Sequence, residues 1–233
     1  MEADQIGGHL ADLLEATRDA ERQLFAAIDR SRRDATPADG GWSQKDVQVH
    51  IFVWKLRQAD RLARAERGEL LEGLADGEID TINADEHDRH ADWPWDRVDA
   101  AAESATSDLV SRVRAARFEE PEFAALLGGC IGNGCEHVLE HLFSAPHGER
   151  DAQLLTGLEE RLALLVADGL LPDAVAGTTI YNQACRRALA GQLDSARQKL
   201  RIAFGLNPDL LEWAAHDTDV RALWGELPSL AGQ

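Results

Sequence analysis

The residues of this chain best suited to chemistry are three histidines. Two of them, His137 and His141, lie four apart in CEHVLEHLF, Cys135 to Phe143. On an α-helix that spacing sets two side chains about 40° apart around the axis and about 6 Å apart along it, so both imidazoles face one way. One helix can thereby offer two nitrogen ligands to one divalent ion. The third, His50, lies in GWSQKDVQVHIFVW, Gly41 to Trp54, on a face shared with Val47, Ile51, Trp54 and Gln58. That face is the apolar one, so His50 is expected to point inward. Three imidazoles around one ion leave a position open for water or substrate, the composition of a catalytic rather than a closed structural site. Left unsatisfied, each buried imidazole would be destabilising by ~1–3 kcal/mol, so three of them facing inward call for a common partner.

Other side chains near these motifs read differently. Glu140 is adjacent to His141 in sequence but about 100° away around a helix, where it could orient an imidazole from outside the ligand set. Glu136 is assigned to a solvated face. Cys135 lies about 200° from His137 and cannot easily share its ion; Cys130, about two turns back and nearly aligned, could line a pocket without ligating. The spacing of Cys130 and Cys135 does not fit C-x-x-C pairs, and both read as small buried residues. His87 and His90 form an H-x-x-H pair with no further ligand nearby and are expected to be solvated. GGCIGNG, Gly128 to Gly134, does not have the order of a phosphate-binding loop, and no strand precedes it. Its glycines are expected to loosen the helix start and leave space above His137.

Helices must position these residues. Ala, Leu, Arg and Glu dominate, and strand-like alternation is scarce. Ile6, Leu10, Leu13, Thr17, Ala20, Leu24 and Ile28 form one stripe and predict a first helix from Ala3 to Arg33. DATPADGG, Asp34 to Gly41, breaks it. Ser43 and Asp46 form a capping-box variant that starts a second helix, ending near Gly68. A polar helical stretch over Glu78 to His90 places Ile79 and Ile82 inward, and DWPW, Asp92 to Trp95, interrupts it. Val98, Ala101, Ala105, Leu109, Val113 and Ala116 predict a third long helix. Pro121 opens a short turn of helix, and Ile131 to Ala145 makes the fourth long helix, ended by Pro146 and Gly148. The fold class is therefore all-α, an up-and-down four-helix bundle over residues 1–148, followed by a linking helix and a further helical module over residues 149–233.

The 233 residues carry 42 acidic against 24 basic side chains, a formal charge of −18, and 44% apolar residues. A core is affordable on that composition, while the charge argues against nucleic acid and anionic membrane surfaces as partners. No run of the ~18 apolar residues needed for a membrane span occurs. MEADQIGGHL has no basic region of the signal-peptide kind. With only three cysteines a disulfide framework is not expected, and the cytoplasm is the expected compartment.

Taken in order, GWSQKDVQVHIFVW, INADEHDRHADWPWDRV and IGNGCEHVLEHL resemble the DinB-like (DinB/YfiT) superfamily, metal-binding four-helix bundles. The resemblance covers about Ala3 to Pro146. It implies a divalent metal, Zn or Ni, held by His50, His137 and His141. It also implies a pocket mouth bordered by Asn83, Arg89 and Trp95, which together with the inward-facing Trp54 are the candidate substrate-binding residues. A plain helix-to-turn connection, with Trp95 packed as a plug, is the competing reading of that middle segment. The activity implied is transfer of a low-molecular-weight thiol cosubstrate to a small electrophile, or a metal-dependent hydrolysis or isomerisation.

IYNQACRRALAGQLDSARQKLRIAFGLNPDLLEWA, Ile180 to Ala214, resembles a tetratricopeptide repeat of the terminal kind. Ala184, Ala196, Ala203 and Pro208 fall where the ~34-residue repeat needs small residues and its closing proline. Arg187 and Ile180 depart from its aromatic positions. Helices are expected over Asp151 to Val166, Tyr181 to Ala190 and Asp194 to Phe204, with a turn at Gly191-Gln192 and a further helix after Pro208. A single repeat cannot bury its own apolar face. It must pack on the preceding helix and on the tail around Leu223 and Trp224, or on another chain. Hence a homodimer, and a non-catalytic binding or assembly role for this module, stand beside the enzyme reading.

Overall fold

The computed structural model describes residues 4–36, 41–69, 71, 73–75, 77–143 and 149–232, and every regular element among these residues is helical. The chain divides into two compact units, Met1–Ala145 and Pro146–Gln233. The expected helix terminators Pro146 and Gly148, and residues 37–40 of the expected break over 34–41, lie outside the described residues.

In the first unit, α1 (Asp4–Ala26), α3 (Gln44–Glu66) and α5 (Trp95–Ala115) pack with α5 against both of the others. Leu10, Leu14, Ile51, Leu62 and Leu109 are fully buried between them. Each such side chain contributes ~1.5–3 kcal/mol by leaving water. The first helix ends at Ala26, short of the expected Arg33. Asp29 caps a separate short helix, α2 (Arg30–Arg33), by accepting from Ser31 N at 2.8 Å and from the Ser31 hydroxyl at 2.6 Å. Ile28 is thereby taken off the stripe into the connecting turn. Ser43 starts α3 as its sequence predicts: the Asp46 amide donates to Ser43 Oγ at 3.2 Å and the Ser43 amide to Asp46 Oδ2 at 2.9 Å. α4 (Glu78–His90) lies on α3, but Ile79 is exposed rather than inward.

A polar seam runs through this core. Thr17, the polar interruption of the first stripe, donates to Leu13 O at 2.8 Å and contacts Cys135 Sγ at 3.6 Å. Beside it, Lys55 is paired with Glu21, and the two are 1% and 0% exposed. Lys55 Nζ also donates to Thr106 Oγ1 at 3.4 Å, and Thr106 in turn to Ala102 O at 3.0 Å. Arg18 reaches Glu21 at 3.2 Å, Asp99 at 2.8 Å and Glu103 at 3.2 Å.

The expected fourth helix is interrupted. α6 (Pro121–Ile131) passes through a single π-helical stretch, Gly132–Glu136, into α7 (His137–Phe143). Such a turn inserts one residue and rotates everything beyond it by about 100° relative to a uniform α-helix. Two of the glycines here serve close packing, while Gly132 has open space around it. A Cβ on Gly134 would stand 2.2 Å from Leu14 Cδ2, and one on Gly129 would stand 2.6 Å from Gln58 Oε1. Both glycines therefore set how closely this segment approaches α1 and α3.

The second unit comprises α8 (Glu149–Ala167), α9 (Asp173–Leu189), α10 (Leu193–Leu206), α11 (Leu210–Ala214), a 3-10 stretch (Thr218–Glu226) and α12 (Leu227–Ala231). α9 starts at Asp173 rather than Tyr181, because Pro172 is an N-cap that needs no free amide. Gly191, at φ +73°, makes the turn between α9 and α10. Ala184, Ala196 and Ala203 are fully buried in one apolar cluster with Val220, Leu223, Leu227 and Leu230, and Val166 of α8 packs on it. Small residues permit the approach of α9 and α10: a Cβ on Gly177 would stand 3.2 Å from Ala203 O. Asp217 clamps the tail, accepting from Tyr181 Oη at 2.7 Å, while its carbonyl accepts from Trp224 Nε1 at 3.0 Å. Among the described residues no helix is long and apolar enough to cross a membrane.

Candidate metal centre

Three half-buried histidines meet in the first unit. The middle of α3's first half supplies His50; the first turn of α7 supplies His137, and His141 follows on the same face. One ligand atom from each can be chosen so that all lie within 4.8 Å of one another. His50 Nε2 and His137 Nε2 are 2.7 Å apart, and the three ring centroids lie between 4.5 and 4.8 Å from each other. Imidazole nitrogens sharing a tetrahedral ion at the usual Zn–N length would be ~3.3 Å apart. The observed separations bracket that value, so the donor set is close enough to bind a divalent metal.

The electrostatics suit ligation. Burial, then repulsion from His141 and His50 and from the Lys55 ammonium, drives the His137 pKa down to about 3. Burial and His141 lower that of His50 to about 4, partly offset by a hydrogen bond with Asn83. His141 is lowered by burial alone. Near neutral pH all three rings are therefore uncharged, the form that binds metal.

Indoles enclose the cluster. Trp42 lies 4.7 Å from the His50 ring and stacks at 6.5 Å on His141. Trp54 lies 6.3 Å from His50 and 6.4 Å from His137, edge to face. Trp54 Nε1 donates to Asn83 Oδ1 at 3.1 Å. A cleft of about 10 Å³, the room of roughly one water, opens beside His50 between Trp42, Asp46, Asn83, Glu86 and His87.

Not every candidate from the sequence arrives here. Asn83 and Trp54 do. Arg89 is exposed and pairs with Glu86, one turn back on its own helix. Trp95 packs edge-on against Phe25 at 5.5 Å and under the Arg33 guanidinium at 4.5 Å, contacts that make it a plug rather than a wall of the cleft. Glu140 is 70% exposed with a carboxylate oxygen 3.9 Å from His137 Nδ1, too far for a hydrogen bond to that uncharged ring. Glu136, the last residue of the π-helical stretch, is buried, contrary to its expected solvated place. His90 is also buried rather than solvated: its Nδ1 lies 2.7 Å from Glu86 O, and its ring packs on Trp93 at 4.3 Å and Phe52 at 5.3 Å. Cys130 and Cys135 are buried thiols whose pKa values burial pushes up to about 12, so neither is a thiolate ligand. Sequence reasoning missed Trp42 as a site residue. The signal for it is its place immediately before the cap Ser43, where an apolar side chain folds back over the first turn of the helix.

The metal-free chain is expected to lose stability on acidification through these rings. Unfolded histidine titrates near 6.5, whereas folded His50 and His137 take protons only at about 4 and about 3. Their contribution is therefore whole above pH ~6.5 and is lost as pH falls toward the folded values. The slope is at most about 1.4 kcal/mol per pH unit for each ring, less for solvent screening of half-buried groups. Urea denaturation of the wild type and of His137→Gln across this range isolates the effect. Parallel curves for the two proteins would contradict the neutral cluster.

No family model, curated protein or solved structure matches this chain.

Proposed function

We propose that the first unit is a divalent-metal-dependent enzyme of the DinB-like type, an up-and-down four-helix bundle that transfers a low-molecular-weight thiol to a small electrophile. The observation that carries this reading is the convergence of His50, His137 and His141, with ligand atoms within 4.8 Å, although His50 and His137 are 87 residues apart in the chain. Zinc or nickel suits an all-imidazole donor set. When bound, such an ion acts as a Lewis acid that lowers the pKa of a thiol or water occupying its open position. The chain's own part is to present three uncharged nitrogens, to flank them with Trp42 and Trp54, and to leave the narrow cleft beside Asn83 and His87 as an opening next to His50. The apolar indoles favour an uncharged, aromatic or alkyl electrophile.

The second unit we read as a terminal tetratricopeptide-like repeat. Complete burial of Ala184, Ala196 and Ala203, with Pro208 following α10, supports that reading.

Two measurements on the whole chain test the activity. Elemental analysis after expression in metal-replete medium should find about one zinc or nickel per chain. Incubation with glutathione, mycothiol or bacillithiol and a chloro-aromatic or epoxide should then yield the conjugate. A metal-free wild type would remove the centre of the proposal. Hydrolysis of the electrophile without conjugation would redirect it to a hydrolase.

A further inference from the structure

Gln58 ties the helix of His50 to the segment that carries the other two histidines. It lies on α3, about two turns beyond His50, and is 1% exposed. Its Nε2 donates to Leu126 O at 3.2 Å and to Cys130 Sγ at 3.3 Å, both on α6. Its Oε1 accepts from Asn133 Nδ2 at 3.3 Å, within the π-helical stretch. One buried amide thus grips the helix both before and inside the point where it leaves the α form. Gly134, the next residue along, lies against Leu14 of α1, so two neighbouring helices hold the stretch at successive residues.

That point decides where His137 faces. The His137 backbone N–H bonds to Gly132 O, five residues back rather than four. A uniform α-helix running on from α6 would set His137 only about 20° from Cys130, seven residues earlier, and Cys130 faces Gln58. The wider turn takes His137 about 100° off that line, to where its ring centroid lies 4.6 Å from that of His50. The π form is rare and recurs at functional sites, so contacts that hold it here have a use. We propose that Gln58 and Asn133 are positioning residues that hold the extra residue of the π-helical stretch in place and so turn His137 and His141 toward His50. The inference rests on the metal reading for its purpose, but the placement of the rings can be read without any metal.

The test uses the full chain, first stripped of metal, with nuclear Overhauser contacts between selectively labelled histidine rings, and then cobalt titration. The wild type should show contacts among all three rings. Gln58→Met, which keeps the length but loses the amide, should lose the contacts of His50 with the other two rings. It should keep the one between His137 and His141, which share α7. Asn133→Ala, at a half-buried site, should weaken the same His50 contacts. Cobalt affinity should fall ~10–100-fold in Gln58→Met, the range for groups that orient ligands. Deleting Asn133 from the Gln58→Met chain should restore both readouts, because with one residue fewer a uniform α-helix brings His137 to its present face. A role in packing alone predicts further loss instead. Should methionine disturb the fold, Asn133→Ala decides alone. Ring contacts of His50 unchanged in the folded variants overturn the inference, as does a deletion that restores nothing. If the ring contacts respond but the wild type takes up no cobalt, the positioning role stands and the metal reading falls.

Discussion

Alanine at Glu21 is expected to lower the unfolding free energy by about 3–5 kcal/mol, the usual consequence of leaving a buried charge without its partner. Glu21 is fully buried and lies between two cations, paired with both Lys55 and Arg18. Removing it leaves Lys55, 1% exposed, with the long 3.4 Å contact to Thr106 in place of a carboxylate. Lys55→Ala should be the milder change, since Glu21 keeps Arg18, and Arg18 keeps Asp99 and Glu103. The paired replacement Glu21→Leu with Lys55→Met should recover most of the loss, because an apolar pair of similar size needs no compensation. Urea denaturation near neutral pH gives the three numbers and their coupling. A loss below about 1 kcal/mol in Glu21→Ala would mean that water reaches the pair and that the seam is not dry.

His137→Ala is expected to abolish metal binding in the working range. His137 is the central ring: its centroid lies 4.6 Å from His50 and 4.5 Å from His141, and its Nε2 faces that of His50. Loss of an outer hydrogen bond to a ligand weakens a site ~10–100-fold, so loss of the ligand itself should exceed that range. Glu140 does not stand in for it, being 70% exposed and 3.9 Å from the very ring that is removed. The fold should tolerate the change, since truncating a half-buried neutral imidazole removes little apolar contact. Competition against a chromophoric chelator, with circular dichroism to confirm the fold, checks both parts. Stoichiometric zinc or nickel in a folded His137→Ala protein would place the metal elsewhere.

Much of the site could be seen in the chain before any coordinates. The four-residue step between His137 and His141 sits within α7, where it works as on any α-helix. His50 could be placed inward from its apolar neighbours Ile51 and Trp54, which are indeed buried. Asn83 and Trp95 occupy the same quoted segment, yet only Asn83 reaches the cluster. A sequence offers no means of separating them, since each is directed by what its helix packs on.

Helix type, the Ser43–Asp46 cap and the pairing of residues one turn apart were determined by the sequence alone, because each depends on groups within about four residues and on fixed helical geometry. The π-helical stretch, the burial of Glu136 and the Glu21–Lys55 pair were decided only by tertiary structure. Gly134 must let Leu14 approach, and the pair joins residues 34 apart. The physical reason is phase: a uniform period assigns faces correctly until one extra residue in a turn shifts every later side chain by about 100°, and the neighbouring helices, not the local sequence, select that turn.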